Sequence, residues 1–150
     1  GVGMTDLKEL QRLDFYVHRA QFKLSFQMQT SSLHPQQVPI LSCVARHEGC
    51  TQQYVAHAQQ TSPASIGVSV RRLEKSGFLC VEEDPHDRRA KRLFTTEAGR
   101  RELELSCAAR DEAFRIRLRG FTGEELAQYR HLLEKMEHNL NQCLEKGEKA

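Results

Sequence analysis

The chain has 150 residues, 28% of them charged, with a net charge of only +2, a size and composition that fit one ordinary domain. A mean hydropathy of −0.61 and the lack of any long apolar run exclude a membrane-spanning helix. Five scattered cysteines with no CxxC pair argue against a disulfide framework and for a reducing, cytoplasmic setting.

The first three residues, Gly1-Val2-Gly3, read as a cloning scar before Met4, and no signal peptide is expected. Residues 4–150 are expected to form a single domain. A long helix is predicted from Asp6 to about Thr30, because Leu10, Leu13, Val17, Ala20, Leu24 and Met28 recur at steps of three and four. Phe15, Phe22 and Phe26 add a second stripe, giving a face wide enough to pack on two partners at once. His34-Pro35 opens the next helix, with Val38, Leu41, Val44 and Ala45 inward and Gly49 at its end. Thr51 caps a short helix to about Gln59, with Tyr54, Val55 and Ala58 inward. Ser62 caps a helix that starts at Pro63, and Gly77 closes it in the left-handed conformation.

Phe78 to Glu83 and Arg92 to Thr95 are β-favouring runs around the turn residues Asp84-Pro85-His86-Asp87. The tip carries Arg88, Arg89 and Lys91, and Arg92 extends the basic run. Residues 62–101 hold nine basic and six acidic groups, so the positive charge gathers in the middle third. Helix, short helix, tight connection, helix, basic hairpin is the order of a winged helix-turn-helix: a mainly α fold with a small β-hairpin wing. On the helix from Pro63 to Ser76, Ile66, Val70 and Leu73 fall on a buried stripe. Ala64, Val68, Arg71 and Lys75 fall opposite, flanked by Ser65 and Arg72. With the cap Ser62, these are the candidate DNA contacts of a recognition helix, joined by Asp87, Arg88, Arg89 and Lys91 on the wing. An exposed Val68 suits a thymine methyl, or is an ordinary surface apolar residue.

Thr95 and Thr96 can each cap a helix running to about Arg119, with Leu103, Cys107, Phe114 and Leu118 on one side. After Gly120, Thr122 and Glu125 make a capping box. The last helix carries Leu126, Tyr129, Leu133, Met136, Leu140 and Cys143 in a heptad-like seam. Together with Leu10, Leu13 and Val17 this seam predicts a homodimer interface; packing within one subunit is the alternative.

The segments LEKSGFL (73–79), DPHDRRA (84–90) and TTEAG (95–99) resemble the MarR family of bacterial transcription regulators. The resemblance implies a winged helix-turn-helix over 33–95 and a helical dimerisation region built from 6–30 and 96–146. It implies a cytoplasmic, sequence-specific, ligand-responsive repressor that binds double-stranded operator DNA as a homodimer, through recognition helix 63–76 and wing 79–95. Arg89 looks like the family's wing arginine, and Asp87 like the acidic residue that holds its guanidinium. The sequence departs from the family where a Ser/Thr-Arg pair is replaced by Gly67-Val68. Small aromatic or phenolic effectors are implied, with Phe15, His18, Phe22 and His34 as candidate lining.

No triad spacing, nucleotide loop or paired-carboxylate motif marks an enzyme. No metal or other cofactor is expected: His47, Cys50 and His57, or His131 with His138, do not supply a convergent tetrahedral set. The rival readings are a winged-helix protein–protein module without DNA binding, and a thiol or metal sensor.

Overall fold

The computed structural model describes residues 1 and 3–147. Val2 of the N-terminal tripeptide and the last three residues of the 4–150 domain lie outside the described residues. The chain runs α1 (Met4–Met28), α2 (Gln37–Arg46), β1 (Cys50–Thr51), α3 (Gln52–Ala58), α4 (Pro63–Lys75), β2 (Leu79–Asp84), β3 (Asp87–Thr95), α5 (Glu97–Arg117) and α6 (Gly123–Lys146). It divides into two compact units, one from Gly1 to Phe114 and one beginning at Arg115 within α5. The mainly helical fold with a small antiparallel sheet is the winged-helix architecture that the sequence predicts.

The core of the first unit is aliphatic. Leu41, Val44, Val55, Leu73 and Leu93 are fully enclosed, with Leu33, Ile66, Val70 and Leu79 nearly so. Each such side chain contributes on the order of 1.5–3 kcal/mol. They come from the segment before α2, from α2, α3 and α4, and from both wing strands, so the helices and the hairpin share one core.

Several boundaries differ from the sequence reading. Helix α1 ends at Met28, because the Gln29 side-chain amide bonds forward to the carbonyls of Ser31 and Leu33 and holds an extended segment. Pro35 sits in a turn before α2, not at its first helical position. The turn is closed by Gln37 N–H donating to His34 O at 2.8 Å and by His34 N–H donating to Gln37 Oε1 at 2.9 Å. On α3 the buried pair is Val55 and Ala56, while Tyr54 and Ala58 face outward; Tyr54 packs edge-on against His47. On α5 the inward stripe is Gly99, Leu103, Ser106, Ala109 and Ala113, and Phe114 is exposed. The polar member, Ser106, donates to Gln29 Oε1, which is why a hydrophobic-only count missed this face.

Strand β1 has no signature in the sequence. Its two residues pair with β3 as Cys50↔Leu93 and Thr51↔Arg92, making a three-stranded sheet of order β1-β3-β2. The wing is longer than its β-favouring residues suggest. Pairing continues to Asp84↔Asp87, with an irregularity between Glu83 and Asp84, so the tip is only Pro85-His86. Backbone pairing carries the charged residues 87–91 into strand conformation despite their poor propensity.

Two junctions lock the wing to the helices. Gly77 has φ of 81°, and Phe78 N–H then donates to Leu73 O at 2.9 Å, closing α4. Thr96 caps α5 by accepting from Gly99 N–H, while its own hydroxyl donates to Gly77 O at 2.6 Å. Thr95 is not a cap. It is buried, donating through its N–H and hydroxyl to Glu48 and accepting from Arg100.

Candidate nucleic-acid interface

Period-two alternation along β3 sorts the basic residues of the wing. Leu93 and Thr95 are buried, so Lys91 shares their face and Arg92 that of Phe94; across the irregular pairing beyond Lys91 it is Arg89, not Arg88, that lines the cleft on the Lys91 side. A cleft of about 510 Å³ lies between this wing face and the helices, lined by Thr51, Gln52, Gln53, Pro63, Arg71, Asp87, Arg89, Ala90 and Lys91. Three cations from two elements, Arg71 of α4 with Arg89 and Lys91 of β3, thus meet around one groove. With Asp87 as the one acidic residue of its lining, the groove is net positive, and such a groove with low-dielectric walls concentrates potential toward a polyanion.

Helix α4 starts cleanly. Ser62 accepts from Ser65 N–H at 3.2 Å, and Pro63 occupies the first turn. The preceding turn is tightened by Gln60 at φ 53° and by Thr61 N–H donating to Ala56 O at 2.9 Å. Ile66, Val70 and Leu73 are buried. Ser62, Ala64, Ser65, Arg71, Arg72 and Lys75 are exposed, and Val68 is 42% exposed, so the helix presents the face read from its periodicity. Gly67 is buried against α3. A Cβ there would lie 3.3 Å from Gln52 Nε2 and 3.5 Å from Arg71 Nη1.

The bracing of the wing differs from the sequence reading. Asp87 does not hold the guanidinium of Arg89: its Oδ1 accepts from the backbone N–H of Arg89 at 3.0 Å. Among the described residues no ion pair joins the two. Asp87 therefore fixes the backbone from which Arg89 projects. The guanidinium that is held belongs to Arg92. Its Nε and Nη2 reach Asp84 Oδ2 at 3.1 and 2.9 Å, and its Nη1 reaches Gly49 O at 3.1 Å. Arg92 spans the sheet from the wing tip to the turn before β1, so it fastens the wing and is no part of the free basic run.

The backbone N–H of His86 and the Arg92 guanidinium hold the Asp84 carboxyl below the usual carboxylate range. A depressed folded-state pKa contributes stability that is present above the unfolded value and is lost as pH falls through the folded one. In a carboxyl NMR titration, Arg92→Ala is expected to move the Asp84 midpoint up toward the ordinary value. An unmoved midpoint would show that Arg92 does not grip this carboxylate.

The other candidate residues separate. Phe22 lines a cavity of about 180 Å³ with Ser25, Phe26, Gln29, Pro35, Val38, Pro39, Ser106 and Arg110. Phe15, His18 and His34 do not line it. Phe15 packs on Tyr16, His18 Nδ1 lies 2.8 Å from Asp14 O, and His34 Nδ1 accepts from Gln36 N–H. Tyr129, read as part of the α6 seam, is half-buried, and its hydroxyl accepts from Arg117 Nη2 at 2.7 Å. All five cysteines are free thiols. Burial raises the Cys50 thiol pKa, which disfavours the thiolate that a redox sensor needs. Among the described residues no three His, Cys, Asp or Glu side chains gather as a metal site, and no helix is long and apolar enough to cross a membrane.

The profile of the MarR family matches residues 31–90, the span from the end of α1 through the wing tip. Over that span, less than half of its length, the chain is similar to the MarR family. The chain is 25% identical over 109 residues to YybA of Bacillus subtilis, a protein named as an uncharacterized HTH-type transcriptional regulator; the match covers 71% of this chain and 73% of YybA. A MarR family protein from Bacillus stearothermophilus superposes with a TM-score of 0.80 at 19% identity, covering 94% of this chain and 99% of that one. The YusO protein of B. subtilis superposes with a TM-score of 0.75 at 24% identity, covering 90% and 94%. The likeness is to helix-turn-helix transcription regulators, not to enzymes. Gln52, at the floor of the basic groove, was missed in the sequence; an uncharged residue at the start of a short helix gives no signal there.

Proposed function

We propose that this protein is a MarR-type, cytoplasmic, ligand-responsive repressor that binds operator DNA as a homodimer, with α4 in the major groove and the wing in the adjacent minor groove. The observation that carries this reading is the convergence of Arg71, Arg89 and Lys91 on one cleft between those two elements. Ser62, Ala64, Ser65 and Val68 would meet bases or the sugar edge, and Arg72 and Lys75 would meet phosphates. Arginine suits the narrow, electronegative minor groove, and Asp87 would present Arg89 there by fixing its backbone.

The dimer rests on apolar surface. Leu10 is 58% and Leu140 67% exposed in the single chain, and Leu13, Val17, Leu126, Leu133 and Met136 are exposed as well. A face of this extent on α1, and another on α6, each mark an interaction surface that a second copy would cover. An aromatic or phenolic effector would enter beside Phe22 and act by favouring one separation of the two recognition helices.

Two measurements test the proposal. Sedimentation is expected to give a dimer. Binding to a selected duplex, followed by anisotropy, is expected to weaken steeply with salt, each neutralised phosphate adding roughly −0.9 to the log–log slope. A monomer in sedimentation would overturn the dimer, and a flat salt response would overturn the DNA contact.

A further inference from the structure

Helix α3 lies behind the recognition helix, and its first residue faces the basic cleft. Gln52 lines the cleft between α4 and the wing, and also the neighbouring groove with Val70, Arg71, Glu74, Val81, Glu83 and Lys91. It is therefore at the junction of the two. Gly67 is buried beside both groups: a Cβ there would lie 3.3 Å from Gln52 Nε2 and 3.5 Å from Arg71 Nη1, so a larger side chain would press on both donors. Acidic groups stand nearby: Asp87 lines the cleft and accepts from Arg89 N–H, and Glu74 and Glu83 line the neighbouring groove with Gln52, Arg71 and Lys91.

We propose that Gln52 and Arg71, with Gly67 clearing the space, form a seat for one backbone phosphate of the strand that separates the two DNA grooves. This rests on the DNA-binding reading above. If α4 occupies a major groove and the wing the next minor groove, the strand between them must cross this cleft. The cleft offers an amide donor, a guanidinium and, from the wing, Lys91. Phosphate contacts fix register and carry no sequence information directly. The replacement of side chains at Gly67-Val68 then shifts work from base reading on α4 to backbone positioning from α3.

The test uses the full chain and a 30-base-pair duplex enriched from a randomised library. Gln52→Ala is expected to weaken binding by about tenfold, because a hydrogen bond to a charged group is lost. The loss should be the same for every base substitution in the duplex, with the salt slope unchanged, since a neutral side chain releases no counterion. Arg71→Ala should weaken binding similarly and reduce the slope by about one. Gln52→Glu keeps the shape and should bind more weakly than Gln52→Ala, while thermal unfolding of all three confirms that they are folded. Neutral methylphosphonate placed at each position in turn should identify one phosphate whose neutralisation weakens the wild type but costs the Gln52→Ala/Arg71→Ala double variant nothing further. If no such position exists, or if Gln52→Ala changes base preference at one site, the phosphate seat is overturned while DNA binding stands. If no duplex is enriched at all, the DNA-binding reading falls and this inference with it.

Discussion

Gly99→Ala is expected to destabilise the protein by about 3 kcal/mol, near the upper end of the cost of overpacking. For a chain of this length that lowers the melting temperature by about 10 °C. The reason is a backbone contact. A Cβ on Gly99 would lie 2.0 Å from Phe78 O and 2.9 Å from Phe78 C. That carbonyl cannot simply move aside, because it accepts from Thr96 N–H at 3.2 Å. Phe78 itself is anchored to Leu73 O at the end of α4. The first turn of α5 therefore presses on the joint between recognition helix and wing, and only a residue without a side chain fits. Gly123→Ala is the control: it stands at the start of α6 with nothing within 4 Å, and its melting temperature should hold or rise slightly. Circular dichroism melts of the two variants decide the matter. Equal melting temperatures would mean that the Phe78–Gly99 joint is looser than its geometry.

Arg89→Ala is expected to weaken DNA binding by about 10- to 100-fold, the range of one good groove contact. Its melting temperature should stay at the wild-type value, because the side chain is exposed. The sharper test is the neighbour. Arg88→Ala removes the same charge one residue away but from outside the cleft lining, and should cost several-fold less. Asp87→Ala should fall between them, since it frees the backbone under Arg89 without removing the cation. Anisotropy titrations of the three variants on one duplex give the order. If Arg88→Ala and Arg89→Ala weaken binding equally, the wing acts as diffuse charge and the assignment of Arg89 to the cleft is wrong.

Much of the architecture was legible in the sequence because it depends on local rules. Helix starts at Ser62 and Thr122 were set by side-chain caps, and the stop at Gly77 by its freedom to adopt positive φ. The buried stripe of α4 followed from periodicity, and so did the exposure of Val68, Arg71 and Lys75. What failed were places where a polar or pairing interaction overrode the local signal. The inward face of α5 includes Ser106 because Gln29 from another element accepts its hydroxyl. Residues 87–91, four of them charged, form strand because Asp87 and Lys91 at its two ends pair with Asp84 and Glu83 of β2. Asp84 and Asp87 look alike as turn residues, yet one grips a guanidinium and the other a backbone N–H.

The sequence by itself determined the order of the helices and the wing, the aliphatic core and the concentration of basic residues in the middle third, because propensity, capping and hydrophobic period act within a few residues. Only the tertiary structure decided which cations work together. Arg71 joins Arg89 and Lys91 across a cleft because α4 and the wing share one core, while Arg92 is withdrawn by Asp84 and the Gly49 carbonyl, more than forty residues away. Such a choice depends on distance in space and on hydrogen-bond geometry, and neither is written in the spacing of residues along the chain.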